Sequence, residues 1–206
     1  MDHYRKPHAI ISGGQRGADH GGLVAAALAG ICTGGWAPKG FRTEAGPDPS
    51  LREFGLSETD TADYRKRTLA NIQDSDATVL LASNPDSAGS KQTLQFAKNA
   101  GKPILTVDPF AEDASAQIAT FLRLHRPLTV NVAGNRESVC PGIFAQTVAV
   151  LGDVFRSLAT GATPGRPASS HAGHERRSKP RTPAPTARRP EPEPAVAEEP
   201  LRLFAF

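Results

Sequence analysis

Residues 12–19 read Ser-Gly-Gly-Gln-Arg-Gly-Ala-Asp, between the apolar run Ala9-Ile10-Ile11 and an alanine- and leucine-rich stretch. Gly13 and Gly14 allow a tight turn and let a ligand approach the backbone closely. A helix starting here presents unpaired N–H groups and a partial positive charge, which suits phosphate. Arg16 can add a bidentate contact to the same anion. Asp19 cannot hold phosphate; it can cap the helix or accept an N–H from a sugar or pterin. The plain alternative is a turn followed by a cap. The motif is neither GxGxxG nor a Walker sequence, which argues against a nicotinamide dehydrogenase or a P-loop kinase.

Similar clusters recur along the chain. "GGWAPKG" offers Gly34, Gly35, Trp36, Lys39 and Gly40. Its tryptophan can stack on a flat heterocycle or simply pack, and Lys39 can meet a phosphate or remain surface. "ASNPDSAGSKQT" contains Ser87, Gly89, Ser90, Lys91 and Thr93, a second anion cradle at a helix start. "NVAGNRESVCPG" supplies Asn131, Gly134, Arg136, Glu137, Ser138 and Gly142. Arg67 and Asn71 lie one turn apart on one helix face, serving either a ligand or a solvated surface.

The elements that must position these residues alternate. Strands are expected at His8–Ser12, Thr33–Ala37, Ala77–Ser83, Pro103–Asp108 and Leu128–Ala133. "ATVLLAS" and "PILTVD" are near-continuous apolar runs, as for strands covered on both faces. Helices are expected over about 18–29, 59–74, 90–100, 112–124 and 141–159. This order predicts an α/β, Rossmann-like three-layer domain with a mostly parallel sheet. Its ligands belong beyond the carboxyl ends of the strands, where the clusters above converge. The stretch 38–58 has no clear period and is expected to lie over that edge as a functional or mobile loop. The rim so formed suits a phosphorylated, ring-bearing ligand.

Composition divides the chain. Nine of the 18 prolines fall after residue 160, in a Pro/Arg/Glu-rich stretch with little to build a core. The reading is a folded domain over 1–160 and a disordered tail over 161–206. The tail holds 8 of the 24 Lys and Arg and 5 of the 21 Asp and Glu, which leaves 16 of each sign in the domain. A balanced domain lacks the basic footprint of a duplex-DNA binder. Cys32 and Cys140 have no metal-type spacing, and no metal site is expected. With no signal segment and no apolar run of about 18 residues, the expectation is a soluble, cytoplasmic chain with reduced thiols and no membrane contact.

The ordered set "ISGGQRGADHGGLVAAALAGICTGGWAPKGFRTEAG", "YRKRTLANIQDSDATVLLAS" and "NVAGNRES..PGI" resembles the putative molybdenum carrier family, the circularly permuted YpsA-like branch of the SLOG superfamily. The resemblance covers roughly residues 9–155. It implies a Rossmann-like fold and binding of molybdenum cofactor (molybdopterin), a pterin with a phosphate, or of a related nucleotide-like ligand, by a carrier rather than a catalyst. Carried over by motif, the binding candidates begin with Gly13, Gly14, Gln15, Arg16, Gly17 and Asp19. The Gly34–Lys39 loop adds Gly35, Trp36 and Lys39. The third cluster adds Gly89, Ser90, Lys91 and Thr93, and the last adds Asn131, Gly134, Arg136, Glu137 and Ser138. Arg16 stands where the family resemblance implies a small or hydroxyl residue, and "AGSKQT" is less glycine-rich than the family form.

Two alternatives come from related SLOG branches. A phosphoribohydrolase-like enzyme carries PGGxGTxxE; aligning Thr93 with its threonine puts Phe96 at the acid position, and a phenyl ring moves no proton. Asp19, Glu44 or Glu137 could then substitute. A DNA-processing role would need a basic single-strand groove. The closing peptide Leu201–Phe206, in "EEPLRLFAF", has the form of a docking motif on a tether and resembles the sliding-clamp motif QLxLF. It makes a protein partner, with the clamp as candidate, a further expectation, compatible with a DNA-metabolism accessory. Related folds form homo-oligomers.

Overall fold

The computed structural model describes residues 6–161. Residues 162–206, where the sequence predicts a disordered tail ending in a docking peptide at Leu201–Phe206, lie outside the described residues. Eight strands and five α-helices follow in chain order: β1 (Ala9–Ser12), α1 (Ala18–Leu28), β2 (Cys32–Ala37), β3 (Arg42–Thr43), β4 (Gly46–Pro47), β5 (Leu56–Glu58), α2 (Tyr64–Asp74), β6 (Ala77–Leu81), α3 (Ala88–Asn99), β7 (Ile104–Val107), α4 (Ala114–His125), β8 (Thr129–Gly134) and α5 (Ile143–Thr160). Six strands form one sheet in the order β5-β2-β1-β8-β6-β7, and every pairing in it is parallel. All five residues of β6 are buried, which is why its sequence reads as an unbroken apolar run.

Helices cover both faces, so the fold is the three-layer α/β arrangement the sequence predicts. On one side α1, α4 and α5 pack together over Ile10, Val79, Leu81, Val130 and Val132. On the other, α2 packs on α3, above Leu80, Ala82 and Ala133. Gly21 and Gly22 let α1 approach its neighbours closely: a Cβ on Gly21 would come within 2.8 Å of Phe144 O, and one on Gly22 within 2.6 Å of Val132. Helix α5 is 18 residues long and apolar enough to cross a membrane by length and composition, where the sequence reading finds no such run. Eight of its residues, among them Leu151, Val154 and Phe155, are buried in the core, which accounts for its apolarity.

Strand β8 is last in the chain but sits between β1 and β6. The chain leaves β1 toward α1 and leaves β6 toward α3, on opposite faces. A crevice therefore opens at the carboxyl ends of β1, β8 and β6, as in other open α/β sheets.

Two expectations are corrected. The stretch 38–58 is ordered into the β3–β4 hairpin, a 3-10 turn over Pro49–Phe54 and the edge strand β5. Its Phe41, Leu51 and Leu56 build a small second core with Leu23 and Ala37, so burial of scattered apolar residues replaces a regular period. Helix α2 starts at Tyr64, not near 59. Thr59 N–H donates to Ala37 O at 2.8 Å, which prolongs the pairing of β5, and Asp63 caps the helix by accepting from Arg65 N–H at 2.8 Å.

Candidate functional site

The crevice holds a cavity of about 360 Å³, within the range of small-molecule sites. Gln15 and Asp19 border it from the β1–α1 turn, and Tyr64, Arg67 and Thr68 from the first two turns of α2. Ser87, Ala88, Gly89, Gln92 and Thr93 border it from the start of α3. Ala133, Gly134, Asn135, Arg136 and Val139 close it from the end of β8 onward.

One wall is an ion pair. Arg67 Nη1 donates to Asp19 Oδ2 at 3.0 Å, and the side chains are 12% and 4% exposed. The guanidinium lies across Gly13, so a Cβ there would come within 1.6 Å of Arg67 Nη1. Burial pushes the Asp19 carboxyl above its ordinary pKa; the opposing pull of Arg67 and of the Gln15 and Gly134 N–H groups is smaller. Arg67 Nε is buried without a hydrogen-bond partner. Asn71, one turn on, fixes α2 to β2. It accepts from Trp36 N–H and donates to Trp36 O, both at 2.9 Å, and donates to Arg67 O at 3.0 Å.

The opposite wall is the start of α3. Ser87 caps it, its Oγ accepting from Ser90 N–H at 3.3 Å. Asn135 braces this turn. Its Nδ2 donates to Asn84 O at 3.0 Å and to the Ser87 and Ser90 hydroxyls at 3.2 Å, and its Oδ1 accepts from Asn84 N–H at 2.9 Å. The N–H groups of Ala88 and Gly89, at the first two positions of the helix, have no intrahelical acceptor. Nothing stands within 4 Å of a Cβ placed on Gly89, so the helix start is open to a ligand. At the mouth, the Arg136 guanidinium stacks over the Tyr64 ring, 5.2 Å from its centroid. The cavity thus brings together two arginines, an open helix start, hydroxyls, one aromatic ring and a single, already paired, carboxylate.

Of the candidates named from sequence, Gln15, Asp19, Arg67, Ser87, Gly89, Thr93, Gly134 and Arg136 meet at this cavity. Gln15 is spent on the β3 segment, donating to Arg42 O and accepting from Glu44 N–H, both at 3.1 Å. Gly14 (φ 71°) packs under Leu51 and Leu56, and Gly17 (φ 112°) lies against the Asn135–Glu137 backbone, where no side chain fits. Gly35 (φ 123°) lies against Ser12 and Asn71. Trp36 does not reach the crevice: its Nε1–H donates to Asp74 Oδ2 at 2.6 Å, so the ring lies along α2. Lys39 is exposed beyond β2. Ser90 is buried behind the cap, and Lys91 pairs with Asp86 at 3.1 Å. Asn131 is inside β8, donating to Thr78 Oγ1 at 3.3 Å rather than standing on the rim. Glu137 accepts from Gly142 and Phe144 N–H and so caps α5, and Ser138 donates to Glu44. Arg16 lines a separate cavity with His20, Asp48 and Phe144. In that cavity His20 meets the edges of Phe54 and Phe144, and burial holds its pKa below the usual value.

Tyr64, Thr68 and Asn135 are cavity residues that the sequence reading did not single out. Asn135 sits inside the "AGNRES" cluster, so its position was marked by its neighbours; Tyr64 had no signal beyond the arginine-rich face it begins.

Residues 10–155 match the circularly permutated YpsA SLOG family. The fold is similar to the crystal structure of a putative molybdenum carrier protein from Syntrophus aciditrophicus SB, with 38% identity and a TM-score of 0.67. That likeness covers 72% of this chain and 94% of that one. Among curated proteins, none matches.

Proposed function

The chain belongs to the circularly permutated YpsA SLOG family, and from that premise we propose that the crevice binds a phosphorylated ring compound and holds it without turnover. Molybdenum cofactor is the first candidate, in keeping with the name of the crystallised relative; a nucleoside phosphate is the second. The observation that carries the reading is the open start of α3 facing Arg67 and Arg136 across one cavity. The Ala88 and Gly89 N–H groups and the Thr93 side of the turn would take the phosphate. Tyr64 and Arg136 would bracket the ring. A metal carried by such a compound draws its ligands from the compound, and among the described residues no three His, Cys, Asp or Glu side chains come together to hold one.

Holding is favoured over hydrolysis by the state of the acids. Asp19 is paired with Arg67, Glu44 with Ser138, and Glu137 with the start of α5. Glu44 and Glu137 are therefore held in contacts away from the cavity, and Asp19, the one acid that lines it, serves as the counter-ion of Arg67.

The test is thermal unfolding of the full chain with molybdopterin, molybdate, nucleoside monophosphates and ADP-ribose. A compound at 100 times its dissociation constant should add about 2.7 kcal/mol, roughly 5–10 °C in Tm for a domain of this size. Molybdopterin or a nucleotide is expected to give the shift. Silence from every phosphorylated compound overturns the reading.

A further inference from the structure

The cavity contains a guanidinium whose charge is already neutralised. Arg67 faces Asp19 at 3.0 Å, and Asp19 is 3% exposed. Among the described residues, the other groups that face this carboxylate are few. Gln15 N–H donates to it across a long 3.4 Å, Gly134 N–H adds a second weak contact, and His20 is its neighbour on α1. Arg136 and Tyr64, stacked on each other, are the remaining charged or titratable side chains of the lining.

An anion entering beside Arg67 would place a second negative group next to this buried carboxylate. Two anions sharing one guanidinium out of water do not both stay ionised cheaply; a proton settles on the less solvated of the two. A phosphate at the start of α3 keeps N–H donors that stabilise its charge. Asp19 has one ion pair to lose and little else to hold its charge, and burial already biases it toward the neutral acid.

Resting on the anion-binding reading above, we infer that ligand uptake is coupled to a proton: Asp19 takes H⁺ from solvent as the anion enters, and Arg67 passes from Asp19 to the ligand as its counter-ion. Arg67 is then the residue that reads ligand charge, and Asp19 is an exchangeable stand-in for the ligand. The stand-in also explains why Gly13 lacks a side chain: the guanidinium needs that surface in order to rest on the turn until the anion arrives.

Calorimetry of the full chain with adenosine 5′-monophosphate at pH 8, in two buffers of different ionisation enthalpy, tests this directly. The second ionisation of a phosphomonoester lies near pH 6, so the nucleotide's own protons do not count at pH 8. The expected result is a binding enthalpy that differs between buffers as for uptake of a proton by the complex. Equal enthalpies overturn the inference and leave the binding reading intact. Asp19→Asn gives an independent arm. Wild-type affinity is expected to fall, by up to tenfold per pH unit, between pH 6.5 and 8.5, while the variant binds with a flat profile. Parallel profiles overturn the inference. Absence of any nucleotide binding overturns it too, and the panel of phosphorylated compounds above then decides the binding reading separately.

Discussion

The Arg67 guanidinium rests on Gly13, with Nη1 1.6 Å from where a Cβ at that position would stand. The glycine of the first turn thus makes room for a side chain 54 positions along the chain, and that side chain neutralises Asp19. Gly13→Ala should push Arg67 off the turn and break the pair. Separating a buried pair costs about 3–5 kcal/mol, and a value of roughly 3 kcal/mol is expected here because Arg67 retains some access to water. Urea unfolding of the variant should show the loss as a lower midpoint with an unchanged slope.

The raised pKa of Asp19 has a definite sign in stability. A carboxyl that holds its proton more tightly folded than unfolded stabilises the fold when protonated. That contribution is complete below the ordinary value of 3.8 and is lost as pH rises through the raised folded value. Asp19→Asn has no such titration. The stability of wild type relative to the variant should therefore decline as pH rises above the ordinary carboxylate range, and denaturant curves recorded across acid and neutral pH measure it. A difference that stays constant, or moves in favour of wild type, would show that the Arg67 pair outweighs burial.

How much of this was legible in the sequence follows from range. The central strand β6 was legible because it is apolar and buried on both faces, whereas β7 reads as the same kind of run although it lies at the sheet edge with Thr106 exposed. The turns at the strand ends were legible because glycine marks them. Edge strand β5 was not, since three residues carry no period and Leu56 is buried in a cluster drawn from separate parts of the chain, Leu23, Ala37, Phe41 and Leu51. The site divides in the same way. Gly89, Thr93, Gly134 and Arg136 lie where strand ends had to converge. Arg67 read equally well as a solvated face, because its partner Asp19 is 48 residues away. Trp36 read as either a stacking platform or a packing residue, and only the fold brings Asp74 to its indole N–H. Asn131 read as rim because it is close in sequence to Gly134, yet the register with Thr78 places it inside the sheet.

Glu137 separates a capping role from a ligand role. Its carboxylate accepts from the Gly142 and Phe144 N–H groups at the start of α5. Glu137→Ala should lower stability by about 1 kcal/mol, the usual cost of a lost cap, and leave the affinity of any phosphorylated compound unchanged. A fall in affinity without a fall in Tm would return Glu137 to the ligand.

Gly89 allows stability and binding to be pulled in opposite directions. It occupies the second position of α3, with open space where a Cβ would go. An aspartate here meets no neighbour, replaces a poor helix former, and puts a negative charge at the positive end of the helix, which is worth about 0.3–1 kcal/mol. Gly89→Asp should therefore hold or slightly raise Tm. The same carboxylate would stand where the proposed phosphate sits, and it would compete for the Ala88 and residue-89 N–H groups. Affinity for a phosphorylated ligand should fall at least tenfold, about 1.4 kcal/mol. Gly89→Ala, which adds a methyl group and no charge, should lose far less. If the aspartate variant binds as well as wild type, the phosphate lies elsewhere in the cavity, against Arg67 or Arg136 and away from the start of α3.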